Sequence, residues 1–140
     1  MSDWIVDSSV VAKWVLPEPD SPKAHALLSQ TAVSNGELVI VDLAFPEVAN
    51  AIWKRHRKII TLTEAEAFLT ALTQLPVRVE PAVQVLEKAF DIAVRYDRSV
   101  YDALFVALVR ERGSRGVTAD EPLVNALKPD FPDVVLLRDL

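Results

Sequence analysis

Five short apolar runs punctuate the chain, and helical patterns separate them. Trp4-Ile-Val ends in Asp7, and Leu38-Val-Ile-Val41 ends in Asp42. Val77-Arg-Val79 alternates. Gly116-Val-Thr118 closes on Ala119-Asp120, and Val134-Val-Leu-Leu137 comes last. Short β-branched runs bounded by acids or turn residues predict buried strands. Between them lie helical patterns. Val10–Leu16 is stopped by Pro17 and Pro19. Pro22–Val33 is capped by Asp20 or Ser21 and followed by the turn Asn35-Gly36. Pro46–Lys58 carries Val48, Ala49, Ile52 and Trp53 on one side and a basic last turn. Thr63-Glu-Ala-Glu66 reads as a capping box opening a helix through Phe68, Leu69 and Leu72. Pro81–Arg95 and Glu121–Leu127 complete the set with Ser99–Arg112. Strands alternating with helices predict an α/β sandwich around a mainly parallel sheet.

The stretch Ser99-Val-Tyr-Asp-Ala-Leu-Phe-Val-Ala-Leu-Val109 is the most apolar of the helices. A helix apolar nearly all round is a buried helix. Asp102 in its first turn has two readings. It pairs with Ser99 in a Ser-x-x-acid cap, or it stands at the edge of a cleft and binds a cation.

The topology relates this acid to three others. In a parallel sheet, strand C-termini and the helix N-termini that follow them share one rim, where ligands bind. Asp7 and Asp120 close strands. Glu47 and Asp102 lie in the first turns of helices. The four carboxylates are therefore expected to converge. Each also has a plain structural reading: Asp7 caps the helix after it, Glu47 complements its helix dipole, and Asp120 caps the short helix, with Thr118 and Glu121 as another possible box. Clustered carboxylates raise one another's pKa, and a divalent cation relieves them. Oxygen ligands without Cys suit Mg²⁺ or Mn²⁺.

Composition narrows the class. With 140 residues, the chain is expected to form one domain over 1–140. It has no cysteine, hence no disulfide framework and no thiolate metal site. No apolar run is long enough to span a bilayer. The start, Met-Ser-Asp-Trp, lacks a signal-peptide pattern, so the expected location is cytoplasmic, with no membrane partner. A net charge of −5 is unusual for a nucleic-acid binder, but cations bound among the acids would reverse the local sign. With three glycines and no Gly-x-Gly-x-x-Gly, a nucleotide-cradling loop has little support. A receiver-like fold would want a lysine after a late strand, and none follows Val117-Thr118.

The words Ile5-Val-Asp7-Ser-Ser9 with Lys13-Trp14, Pro46-Glu47-Val-Ala-Asn50, Ser99-Val-Tyr-Asp102-Ala-Leu-Phe-Val-Ala-Leu108 and Val117-Thr-Ala-Asp120 occur in this order along nearly the whole chain. In this it resembles the PIN-domain nucleases, and most closely the VapC-like toxins of toxin–antitoxin pairs. The resemblance implies a three-layer α/β/α fold and a Mg²⁺- or Mn²⁺-dependent endoribonuclease. Its acidic pocket maps onto Asp7, Glu47, Asp102 and Asp120. Asp7 and Asp102 are the expected direct metal ligands, with Glu47 and Asp120 acting through water or orienting it. Ser9 and Thr118 fit supporting positions, and Lys13 is a candidate substrate contact. The resemblance also implies an RNA substrate, a homodimer and a small VapB-like antitoxin. The helices at Pro22–Val33 and Glu47–Arg57 carry apolar stripes that could flank the cleft. A catalytically inactive PIN-like binding module is the alternative. His25 and His56 are expected at the surface, and Trp14 and Trp53 in a core or interface.

Overall fold

A computed structural model describes residues 3–140; Met1 and Ser2, the start of the stretch read above as no signal peptide, lie outside the described residues. Five strands form one sheet: β1 (Trp4–Val6), β2 (Leu38–Val41), β3 (Arg78–Glu80), β4 (Arg115–Thr118) and β5 (Val134–Leu136). Their order is β3-β2-β1-β4-β5, and every pairing is parallel. Ile5 faces Val39 on one side and Gly116 on the other. The expected sheet is thus present, and parallel throughout.

Alternation along the strands divides the core in two. Trp4, Val6, Leu38, Ile40 and Val117 point to one face. There they meet α1 (Ser8–Val15), α2 (Ser21–Val33), α3 (Ala44–His56) and α4 (Leu62–Thr73). Ile5, Val39, Val41, Val134 and Leu136 point to the other face. They meet α5 (Leu86–Tyr96), α6 (Val100–Arg112) and α7 (Glu121–Leu127). This is the α/β/α layering expected. Among the described residues no helix is long and apolar enough to cross a membrane.

Helix α6 lies against the centre of the sheet. Ala103 through Val109 are all buried, so the all-round apolar pattern is explained by its place. Its start is held by Ser99, whose Oγ accepts from the Asp102 amide at 3.1 Å. Its end falls at Gly113, which adopts φ +61 as a left-handed cap. Gly116 lets the helix approach β4. A Cβ there would lie 2.4 Å from Val109 Cγ2 and 2.9 Å from Phe105 Cζ.

Two local expectations need correction. The capping box of α4 is Thr61 with Glu64, not Thr63 with Glu66: Glu64 N–H donates to Thr61 Oγ1 at 3.1 Å, and Thr61 N–H to Glu64 Oε1 at 2.9 Å. Both registers satisfy the motif in sequence; the helix begins at Leu62, with Ala65 and Leu72 buried. The apolar positions of α2 and α3 also differ. Ala24, Leu27, Val48 and Ile52 are spent on the core rather than on a cleft wall. Trp14 is buried, and its Nε1 donates to the Ala24 carbonyl at 2.7 Å. Trp53 stays half outside, stacked under Arg57.

Candidate functional site

Asp7 directly follows β1. Its N–H donates to the Val117 carbonyl at 3.0 Å, and its own carbonyl accepts from Val10 and Val11 at the start of α1. Strand and helix therefore fix its backbone from both sides. Its carboxylate does not cap α1. Instead Oδ2 accepts two bonds, from Ser9 Oγ at 2.8 Å and Thr118 Oγ1 at 2.7 Å. Each hydroxyl is itself oriented by a backbone amide, that of Ser9 from across the rim and that of Thr118 from two residues on. Ala119 N–H donates to Ser9 Oγ at 2.9 Å, and Asp120 N–H donates to Thr118 Oγ1 at 3.1 Å. Thr118 is fully buried. A hydroxyl that accepts from an amide turns its one proton toward the carboxylate.

The other acids reach the same rim from separate elements. Glu47 stands in the first turn of α3, and Asp102 in the first turn of α6. Asp120 caps α7, its Oδ1 accepting from Leu123 N–H at 3.1 Å. Asp102 and Asp120 thus share in helix caps as well as facing the rim, so the two readings of each are compatible.

The fields of these acids overlap. Burial raises the Asp7 pKa above its ordinary value; the Thr118 and Ser9 bonds oppose this, and the Asp102 charge adds to it. Glu47 is raised by desolvation, then by the charges of Asp7 and Asp102, against a bond from Ser8. Asp102 is raised by burial and by Asp120, against the charge of Arg98. The charge of Asp102 thus acts on Asp7 and Glu47, that of Asp7 on Glu47, and that of Asp120 on Asp102. Mutual repulsion of this kind favours either protonation or a bound cation. The donors are carboxylate oxygens with hydroxyls behind them, a set that fits a hard divalent ion such as Mg²⁺ or Mn²⁺. Among the described residues no three acidic or histidine side chains are already drawn close enough to enclose an ion.

Three expected or possible contributors stand apart. Lys13 Nζ donates to the Pro19 carbonyl at 2.7 Å and pairs with Glu18 at 3.6 Å, which ties it to the loop after α1. His25 and His56 are exposed. Three residues that pattern reading did not single out are present. Ser8 bonds Glu47. Tyr101 lines the same cleft as Asp7 and Glu47 and is well exposed. Arg98 pairs with Asp102 at 3.7 Å. The signal for Arg98 was its place just before the Ser99 cap, within reach of Asp102 in the first turn of α6.

The chain as a whole is similar to known proteins. The PIN domain family profile matches residues 4–126. Ribonuclease VapC3 of Pyrobaculum aerophilum is 35% identical over 134 residues, covering 94% of this chain and 96% of that protein. The crystal structure of VapC20 from Mycobacterium tuberculosis, described as a sarcin-ricin loop cleaving toxin, superposes with a TM-score of 0.67. It is 21% identical and covers 88% of this chain and 94% of that one. A chain of a toxin–antitoxin complex from Klebsiella pneumoniae superposes with a TM-score of 0.64 at 14% identity, covering 95% and 96%.

Proposed function

The chain belongs to the PIN domain family, and from that premise we propose that it is a divalent-metal-dependent endoribonuclease, the toxin of a toxin–antitoxin pair. The observation that carries this is the placement of Asp7, Glu47, Asp102 and Asp120 at strand ends and helix starts on one sheet rim, near enough for their charges to act on one another. Four acids gathered around RNA would repel its phosphates unless a cation stood between them.

Asp7 and Asp102 would hold a Mg²⁺ or Mn²⁺ ion directly, with Glu47 and Asp120 binding through water or orienting the attacking water. A bound ion supplies Lewis acidity, lowering the pKa of water and offsetting charge on the leaving oxygen. Ser9 and Thr118 support Asp7. Their two bonds to Oδ2 hold its carboxylate in one orientation and favour its ionised form. The likeness to Ribonuclease VapC3 supports RNA as substrate and hydrolysis as the reaction. An enzyme of this kind works in the cytoplasm, where RNA is available.

Two protein partners belong to the same reading. A small VapB-like antitoxin is supported by the likeness to a chain of a toxin–antitoxin complex. A homodimer is supported by Leu86, Phe90 and Val94, which are exposed at four-residue spacing on one face of α5, with Val83 beside them. Light scattering on the wild type and on Phe90→Asp tests the dimer. The dimeric mass should fall to that of a monomer in the variant.

The deciding experiment for function is cleavage of a mixed structured RNA pool with Mg²⁺, with Mn²⁺ and with EDTA, beside Asp102→Asn. Metal-dependent cuts that vanish in the variant are expected. Metal binding without cuts would turn the reading into a binding module.

A further inference from the structure

Arg98 is placed where fold stability does not call for a cation. It directly precedes Ser99, the N-cap of α6, and so lies at the positive end of that helix dipole. Its Nε is buried and has no hydrogen-bond partner. Its one ion pair, Nη2 to Asp102 Oδ2, spans 3.7 Å, a distance of charge attraction beyond hydrogen bonding. A buried guanidinium nitrogen without a partner costs stability and calls for an explanation. Both side chains remain open to solvent, at 27% and 31% exposure, so a ligand can reach them.

Other cations are differently employed. Lys13 and Arg55 both pair with Glu18 and both donate to carbonyls of the Pro17–Pro19 loop. Arg112, whose Nε is also buried without a partner, pairs through its two Nη atoms with Glu80 and Glu37. Among the described residues Arg98 is the one cation paired with any of the four rim acids.

We propose that Arg98 is a substrate-binding residue that grips an RNA phosphate at the acidic rim, its contact with Asp102 being the resting position. The inference rests on the nuclease reading. A planar guanidinium with unspent donors presents the fork that a phosphate takes in two bonds, which a lysine ammonium cannot copy. The loose pair with Asp102 keeps that fork at the rim without using up its hydrogen bonds. It also leaves Arg98 free to turn when the carboxylate is otherwise engaged.

The test separates this inference from its premise. Steady-state cleavage of an RNA that the wild type cuts is compared for wild type, Arg98→Lys and Arg98→Ala. Binding of a short mixed-sequence single-stranded RNA is measured by fluorescence anisotropy over a range of KCl concentrations. The binding arm uses Asp7→Asn protein with and without Arg98→Ala, so that the probe stays intact. Arg98→Ala should raise KM about tenfold, in line with the loss of one charged phosphate contact, and lower kcat less. Arg98→Lys should recover part of that loss. The slope of log K against log salt should shrink by about 0.7, as expected for one phosphate lost from a single strand. A merely structural role would lower the melting temperature and leave the salt slope alone. Unchanged KM and unchanged slope, with wild-type cleavage intact, would overturn the proposal for Arg98 and spare the nuclease. A wild type that neither binds nor cuts RNA would remove both.

Discussion

Thr118 Oγ1 donates to Asp7 Oδ2 at 2.7 Å, although 111 residues of chain separate them. The contact exists because β1 and β4 pair in register, Val6 beside Val117, so that the residues after each reach the same rim. The same hydroxyl accepts from the Asp120 amide. One buried side chain thus links the end of the first strand to the cap of α7.

Thr118→Val tests that link. The shape is kept, but Asp7 loses a donor and the Asp120 amide an acceptor. Leaving such buried groups unpaired costs about 1–3 kcal/mol. Loss of a group that orients a metal ligand typically costs about 10–100-fold in activity. Thr118→Ser should restore most of both. Chemical denaturation and RNA cleavage read the two effects, and wild-type behaviour of the valine variant would deny Thr118 its supporting role.

Asp7→Asn should separate stability from activity. The Asp7 pKa is raised in the fold, chiefly by burial. A raised acid favours the folded state below its unfolded pKa, and that advantage is lost as pH rises through the folded value. The metal-free wild type should therefore lose stability as pH climbs from the ordinary carboxylate range toward neutrality. Asparagine can accept both hydroxyl bonds and never ionises. Its melting temperature at neutral pH should exceed that of the wild type, the gap closing on acidification, while cleavage is lost. Melting curves over pH check this; a variant less stable at neutral pH would argue against the charge penalty.

Divalent metal should reverse the same penalty. An ion that binds only the folded state stabilises it by mass action, by about 1.4 kcal/mol at ten times the dissociation constant. Mg²⁺ or Mn²⁺ should raise the wild-type melting temperature, and the rise should shrink sharply in Asp102→Asn, because the charge of Asp102 acts on Asp7 and Glu47 and that of Asp120 on Asp102. Equal shifts in both proteins would place the ion elsewhere.

Gly116→Ala probes the packing that carries Thr118. Its Cβ would press on Val109 Cγ2 and Phe105 Cζ, and overpacking of this kind costs about 1–3 kcal/mol. Adding Val109→Ala should recover part of the loss. A double-mutant cycle by urea unfolding measures the coupling, and additive effects would show that the helix moves freely off the strand.

The pattern of apolar and polar positions was enough to locate all five strands and the buried helix α6, because strand alternation and all-round burial leave periodic traces. It also brought Asp7, Glu47, Asp102 and Asp120 to one rim, since parallel connectivity sets which chain ends share an edge. Details that depend on one residue of register were less legible. Thr61-x-x-Glu64 and Thr63-x-x-Glu66 are equal as motifs, and the fold starts the helix at the first of them. Lys13, a candidate substrate contact in sequence, has partners that sequence did not show: the Pro19 carbonyl and Glu18. Trp53 shared a helical side with Val48 and Ile52, yet it sits at the exposed edge of that stripe.

The sequence by itself determined the layer architecture and the identity of the rim acids, because both follow from local periodicity and from the order of elements along the chain. Tertiary structure decided the partners: Ser9 and Thr118 on Asp7, and Arg98 beside Asp102. Hydrogen bonds and ion pairs are set by distances of a few ångströms. Those distances exist only once strands far apart in sequence have paired and the helices have closed over them.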